Sequence, residues 1–229
     1  MKKLIVTRAD NNIKEMTNIT HLSLKKYAKK CDADFKVLDD STCSESVAYL
    51  MYRILKIYDL FEDYDRILHL DSDMLVKNNC PNLFDIVPVS AIGCVYEDKG
   101  SRKEDRRNRI KRVQQERKDV GWTKGYLNAA VTLFSKMHRN IFNLEFDKVW
   151  KDIGYEGVEI GYQIHKNGYE IHELPCEFNF MSMFAESWCK KDKFDAFILH
   201  YAGRGFYLSI DRIEQIHQDY IILKKYGYL

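Results

Sequence analysis

Two spacings of apolar residues alternate along the chain, and each predicts an element. Residues 3–7 are short and apolar at Leu4, Ile5 and Val6, which predicts a first strand running into the polar loop Arg8-Ala9-Asp10-Asn11-Asn12. Ile13, Met16, Ile19, Leu24 and Tyr27 then recur at helical spacing and predict a helix to about residue 30. Residues 35–38 predict a second strand. Residues 44–61 predict a helix opened by Ser44, with Val47, Leu50, Met51, Ile54, Leu55 and Tyr58 as its buried stripe. Further strands are expected at 66–70, 91–96, 125–134, 169–174 and 196–201, and helices at 141–150, 158–165 and 209–226. Strands alternating with helices in this rhythm predict βαβ units and a largely parallel sheet, an α/β fold. With no internal repeat and no Pro/Gly/Ser linker, residues 1–229 read as a single domain, or as one domain of a longer protein.

Composition narrows the classes. At 229 residues the chain is long enough to bury a core, and 45% hydrophobic with 31% charged residues is a globular balance. The formal charge of +2 conceals an asymmetry: residues 99–119 hold ten Lys or Arg against four Asp or Glu, a local +6 that leaves −4 elsewhere. Only Ile110 and Val113 are aliphatic in that segment, which predicts an exposed helix or a mobile stretch. The segment has no aromatic residue, so a basic nucleic-acid-binding module is the weaker reading. No stretch approaches the ~18 apolar residues of a membrane span, and the opening Met1-Lys2-Lys3-Leu4-Ile5-Val6 is too short for a secretory leader. A cytoplasmic setting, prokaryotic or viral, is expected. Cys31, Cys43, Cys80, Cys94, Cys176 and Cys189 are scattered without a C-x-x-C pair and read as free thiols.

The stretch "RILHLDSDMLVKN", Arg66 to Asn78, carries two carboxylates to the edge of the predicted core. Residues two apart on an extended chain share a face, so Asp71 and Asp73 project together while Ser72 points away. In open α/β sheets ligands bind beyond the carboxyl ends of the strands. Two ionised carboxylates there repel one another, and a divalent cation with hard oxygen ligands, Mg²⁺ or Mn²⁺, removes the conflict. One Asp capping the next turn and the other solvated is the plainer alternative.

Residues 52–76, "YRILKIYDLFEDYDRILHLDSDMLV", resemble the central segment of the GT-A nucleotide-sugar glycosyltransferases, the group of glycogenin, galactinol synthase and the bacterial lipooligosaccharide galactosyltransferases. "LIVTRADNN" resembles that family's first strand and nucleotide-contacting loop, "GYLNAAVTLFSK" its Y-F-N-A-G-V segment, and "HYAGRG" its H-Y/F-x-G element. The resemblance implies a GT-A fold, a Rossmann-like mixed and mostly parallel sheet flanked by helices. It also implies a Mn²⁺- or Mg²⁺-dependent transfer from a UDP-sugar to a glycan or glycoprotein acceptor. Carried over residue by residue, it makes Asp71, Asp73 and His200 the metal ligands. Thr7, Arg8, Asp10, Lys56, Ser72 and Arg204 become donor contacts, with Asn128 and Arg53 near the reacting sugar. Glu159 is the nearest equivalent of the family's acidic D-Q-D-like element, and Glu156 is a second possibility. Where the family has Lys before Pro-Trp, this chain reads Arg204-Gly205-Phe206-Tyr207, so Arg204 is expected to carry that charge. Residues 99–119 fall where the family covers the donor, which predicts a mobile basic lid. A haloacid-dehalogenase-like phosphatase using Asp71 as nucleophile is the competing enzymatic reading.

Overall fold

The computed structural model describes residues 1–39 and 52–229. A six-stranded sheet runs in the order β2 (Asp34–Leu38), β1 (Lys3–Arg8), β3 (Arg66–Leu70), β6 (Leu127–Ser135), β5 (Ala91–Tyr96) and β7 (Glu170–Glu173). β1 pairs in parallel with β2 and β3, and β5 with β7, while β6 is antiparallel to both neighbours. Two short strands, β4 (Met74–Val76) and β8 (Ile198–His200), form a separate antiparallel pair.

Period-two alternation explains why the central strands are apolar on both faces. Ile5, Leu68, Leu70, Val131 and Leu133 face one core, with Leu24 and Tyr27 of α1 (Lys14–Lys30) and with β4 and β8. Leu4, Val6, Ile67 and Phe134 face the other, against α2 (Ile57–Leu60), Phe61, Phe142 and the α5 helix (Tyr155–Lys166). α3 (Leu83–Ile86) is a single turn, and α6 (Arg212–Lys225) closes the chain against α1.

Two expected helices differ. Residues 44–51 of the stretch 44–61 lie outside the described residues, and the rest is a 3₁₀ segment, Tyr52–Lys56, followed by α2. Residues 141–150 are not one helix but parts of two 3₁₀ segments, Lys136–Phe142 and Phe146–Lys148. The physical reason is that their anchors point into different cores. Ile141 and Phe142 pack under the sheet, whereas Trp150 joins a third cluster with Ile110, Val113, Trp122, Tyr126, Val158 and Tyr162. One helical face cannot serve both.

The basic segment contains helix α4 (Lys103–Glu116), docked on that third cluster through fully buried Ile110 and Val113. Each such side chain contributes roughly 1.5–3 kcal/mol by leaving water. Its cations also meet carboxylates on the body of the fold. Arg106 and Arg102 reach Glu97 at 2.5 and 3.3 Å, and Arg107 reaches Asp98 at 3.1 Å. Glu97 and Asp98 are themselves buried, so much of the local charge is matched rather than presented to solvent. Among the described residues no helix is long and apolar enough to cross a membrane.

Candidate functional site

The sheet topology gathers three sequence-distant ligand groups. Leaving β3, Asp71 donates its N–H to the Ala130 carbonyl of β6 at 2.9 Å. The chain then bends at Ser72, whose hydroxyl donates to the Arg8 carbonyl and lies 2.9 Å from Thr7 Oγ1. Ser72 is thereby turned inward, and the carboxylates on either side of it point outward. The β4–β8 register sets Met74 opposite His200, and the Tyr201 N–H donates to the Asp73 carbonyl at 2.9 Å. One ligand atom each from Asp71, Asp73 and His200 consequently lies within 4.8 Å of the others. His200 Nε2 is 3.3 Å from Asp73 Oδ1.

A chain of amides orients the imidazole. Asn179 Nδ2 donates to Asn128 Oδ1 at 3.0 Å, so Asn179 Oδ1 is left to accept from His200 Nδ1 at 2.7 Å. Asn128 Nδ2 donates in turn to Glu97 Oε2 at 3.0 Å. With its proton held on Nδ1, neutral His200 turns the Nε2 lone pair toward the carboxylates. Burial opposes the charged imidazolium, yet Asp73 and then Asp71 outweigh it and raise the His200 pKa. When His200 is neutral, two carboxylates and an imidazole nitrogen turn acceptors toward one another. A hard divalent ion fits this donor chemistry.

Arginines flank the group. Arg8 donates to Asp71 at 2.7 Å and to Glu156 at 3.2 Å, and Arg212 donates to Asp73 at 3.1 Å. Burial works against a charged Asp71, but Arg8, His69 and His200 prevail and hold it below the usual carboxylate range. Glu156 moves the other way, because burial outweighs the nearby Arg8. His69 donates from Nδ1 to the Ala129 carbonyl at 2.9 Å, with Nε2 buried 3.7 Å from Asp71 Oδ1. Burial, with Arg8 adding to it, lowers the His69 pKa to about 4. Between that value and the ordinary histidine pKa near 6.5 the unfolded chain binds the extra proton. Stability should therefore fall as pH drops from about 6.5 to about 4, by up to about 1.4 kcal/mol per unit from this residue. Urea denaturation at stepped pH checks this, and His69→Gln should flatten the slope.

A cleft of about 380 Å³ opens beside these groups, lined among others by Asp71, Glu97, Asn128, Tyr126 and Glu156. Gly154 sets its far wall. It starts α5 at φ +94°, where a Cβ would sit 2.6 Å from the Tyr126 hydroxyl. The structure does not bring Glu159 to this cleft. Buried at 1% exposure, it is held by Arg117 at 3.0 and 2.8 Å, the Trp150 N–H at 2.6 Å and Gln163 at 2.9 Å. Glu156, one helical turn earlier on α5, faces the cleft instead.

The other expected residues divide between the site and its support. Thr7 is buried, and its hydroxyl lies against Ser72, so both brace the turn from within. Arg53 is buried too, donating to the carbonyls of Ala9 at 2.5 Å and Leu38 at 3.3 Å, and so ties together the loops that leave β1 and β2. Asp10 caps the next turn by accepting from the Asn12 N–H at 3.0 Å. Lys56 lines a different cleft, with Tyr52, Tyr58, Phe142 and Phe146. Arg204 is exposed on the turn after β8. Asn128 is at the site but has both ends of its amide bound within the network. Sequence reasoning missed Glu97, Asn179 and Arg212. Glu97 has a sequence signal, a carboxylate directly after a predicted strand; Asn179 and Arg212 have none, since only the tertiary fold brings them to His200 and Asp73.

The glycosyl transferase family 8 model matches residues 3–205. No curated protein sequence matches the chain significantly. The fold is that of a glycosyltransferase involved in the glycosylation of the major capsid of PBCV-1, with TM-score 0.62, 14% identity, and 95% of this chain and 100% of that one covered. It is also that of the galactosyltransferase LgtC, solved with donor and acceptor sugar analogs, with TM-score 0.61, 18% identity, and 96% and 95% covered. The chain spans about half of the bifunctional glycosyltransferase WbbM, covering 49% of it with 96% of its own length, at TM-score 0.64 and 15% identity. The architecture is thus the GT-A fold, and neither the phosphatase nor the nucleic-acid reading is favoured. A family match over this length, on this fold, makes the chain a member of glycosyl transferase family 8.

Proposed function

We propose that the protein transfers a sugar from a UDP-sugar to a hydroxyl of a glycan or glycoprotein, with Mn²⁺ or Mg²⁺ held by Asp71, Asp73 and His200. The observation that carries this reading is the convergence of those three side chains at the carboxyl end of β3, in a family 8 chain. A divalent cation held there supplies Lewis-acid stabilisation of the leaving diphosphate. The chain's own residues supply the rest. Arg8 fixes Asp71 and Glu156 relative to one another, and the Glu97-Asn128-Asn179 chain fixes His200. The resemblance to the family's nucleotide-contacting loop supports seating the nucleotide on the loop after β1, which Arg53 shapes, with Asp10 toward the base. Glu156 is the carboxylate best placed to act near the reacting carbon, as base or as positioning group. Arg109 of α4 lines the same cleft and would favour an anionic ligand there.

A panel of nucleotide sugars, each with and without Mn²⁺, tests the reading by thermal stabilisation. The expected outcome is a rise in melting temperature for a UDP-sugar that needs the cation. Stabilisation by no member of the panel, or equal stabilisation under chelator, would count against it.

A further inference from the structure

Resting on that reading, we infer that Arg212 is the phosphate-binding cation of this site, sharing Asp73 with the divalent ion and turning to the diphosphate when it arrives. The argument begins with the loop after β8. Gln215 of α6 places its Nε2 at 2.9, 2.9 and 2.8 Å from the carbonyl oxygens of Arg204, Tyr207 and Ile210, with its two N–H groups shared among them. Its Oε1 accepts from the N–H groups of Phe206 and Tyr207 at 2.8 and 3.1 Å. One buried amide therefore holds the whole loop folded, with Arg204 exposed upon it. The guanidinium at Asp73 comes instead from the first residue of α6.

The backbone at that point is fixed. Asp211 caps α6 by accepting from the Ile213 N–H at 2.8 Å, while the Arg212 side chain crosses to Asp73 Oδ2 at 3.1 Å. The two arginines that pair with Asp71 and Asp73 are not equivalent. Arg8 is 13% exposed and bridges two carboxylates, Asp71 and Glu156. Arg212 is 31% exposed and, among the described residues, has Asp73 as its one ion-pair partner. It is the arginine that can exchange partners.

Charge gives the direction of that exchange. Asp71, Asp73 and Glu156 against Arg8 and Arg212 sum to −1, and a divalent ion brings the group to +1. The ion and Arg212 compete for Asp73, and a diphosphate relieves both cations at once. A guanidinium fork suits phosphate oxygens in a way that a mere helix anchor does not require.

The two roles predict opposite signs for one measurement. Mn²⁺ affinity without nucleotide is read from the electron paramagnetic resonance of free Mn²⁺, and UDP affinity at saturating Mn²⁺ by calorimetry. Arg212→Gln should tighten Mn²⁺ binding severalfold and weaken UDP binding about tenfold or more, the loss of one charge-assisted hydrogen bond. Arg212→Lys should recover part of the UDP affinity. If Arg212→Gln weakens Mn²⁺ and UDP binding together, Arg212 merely braces Asp73, and the inference is overturned. It is equally overturned if Arg204→Gln loses UDP affinity while Arg212→Gln keeps it. Wild-type protein that binds neither Mn²⁺ nor UDP would instead defeat the proposed function, and the inference with it.

Discussion

Replacing Glu159 by Ala is expected to lower the unfolding free energy by about 3–5 kcal/mol, the usual cost of removing one partner from a buried ion pair. Arg117 spans from Glu159 to the rings of Trp150 and Tyr162, with its guanidinium carbon 5.9 and 5.1 Å from their centroids. Without the carboxylate, the Trp150 N–H would lose its acceptor and Arg117 would keep only the Lys148 carbonyl at 3.1 Å, in a largely apolar cluster. Glu156→Gln should do the reverse. It keeps the shape of a side chain that is 16% exposed, so the fold should survive, while turnover falls by roughly 100-fold or more if the carboxylate acts on the reacting groups. Urea denaturation and steady-state kinetics on the two variants separate the roles. A Glu159→Ala variant of wild-type stability with no turnover would return the catalytic assignment to Glu159.

Asn179→Leu is expected to weaken Mn²⁺ binding by about 10- to 100-fold, as is usual when the partner that orients a ligating histidine is removed. The leucine offers no acceptor to His200 Nδ1–H, and it strands the Oδ1 of Asn128, which then keeps only the Ala130 N–H at 3.0 Å. Asn179→Asp retains an acceptor and should lose less. Mn²⁺ affinity measured without nucleotide, beside a thermal melt to confirm folding, decides the matter. Unchanged affinity in the leucine variant would mean that His200 is not oriented through this chain.

What the sequence made legible follows from how local each signal is. Asp71 and Asp73 sit on a strand whose period-two geometry is visible in the residues alone, and their convergence with His200 needed the resemblance as well. The apolar runs of β1, β3, β5 and β6 were readable because each strand is buried on both faces. The stretch 141–150 was not, since its apolar residues feed two clusters and imitate a helical stripe. Glu159 and Glu156 share one helix one turn apart, and only the packing of Arg117 and Trp150 tells which of them faces inward. Arg204 lies four residues after His200 in sequence, where a phosphate contact is expected, yet its side chain is exposed. Arg212, eight residues further on, reaches the site because Gln215 folds the intervening loop back, a contact that spacing does not reveal.

The most direct test of a cation bridging Asp71, Asp73 and a nucleotide diphosphate is UDP calorimetry in Mn²⁺ and in chelator, on the wild type, Asp71→Asn and Asp73→Asn. The account predicts that wild-type protein binds UDP tightly only with Mn²⁺ and that either variant loses this cation-dependent gain while remaining folded. Equal UDP affinity in chelator, or wild-type affinity in Asp73→Asn with Mn²⁺ present, would contradict it.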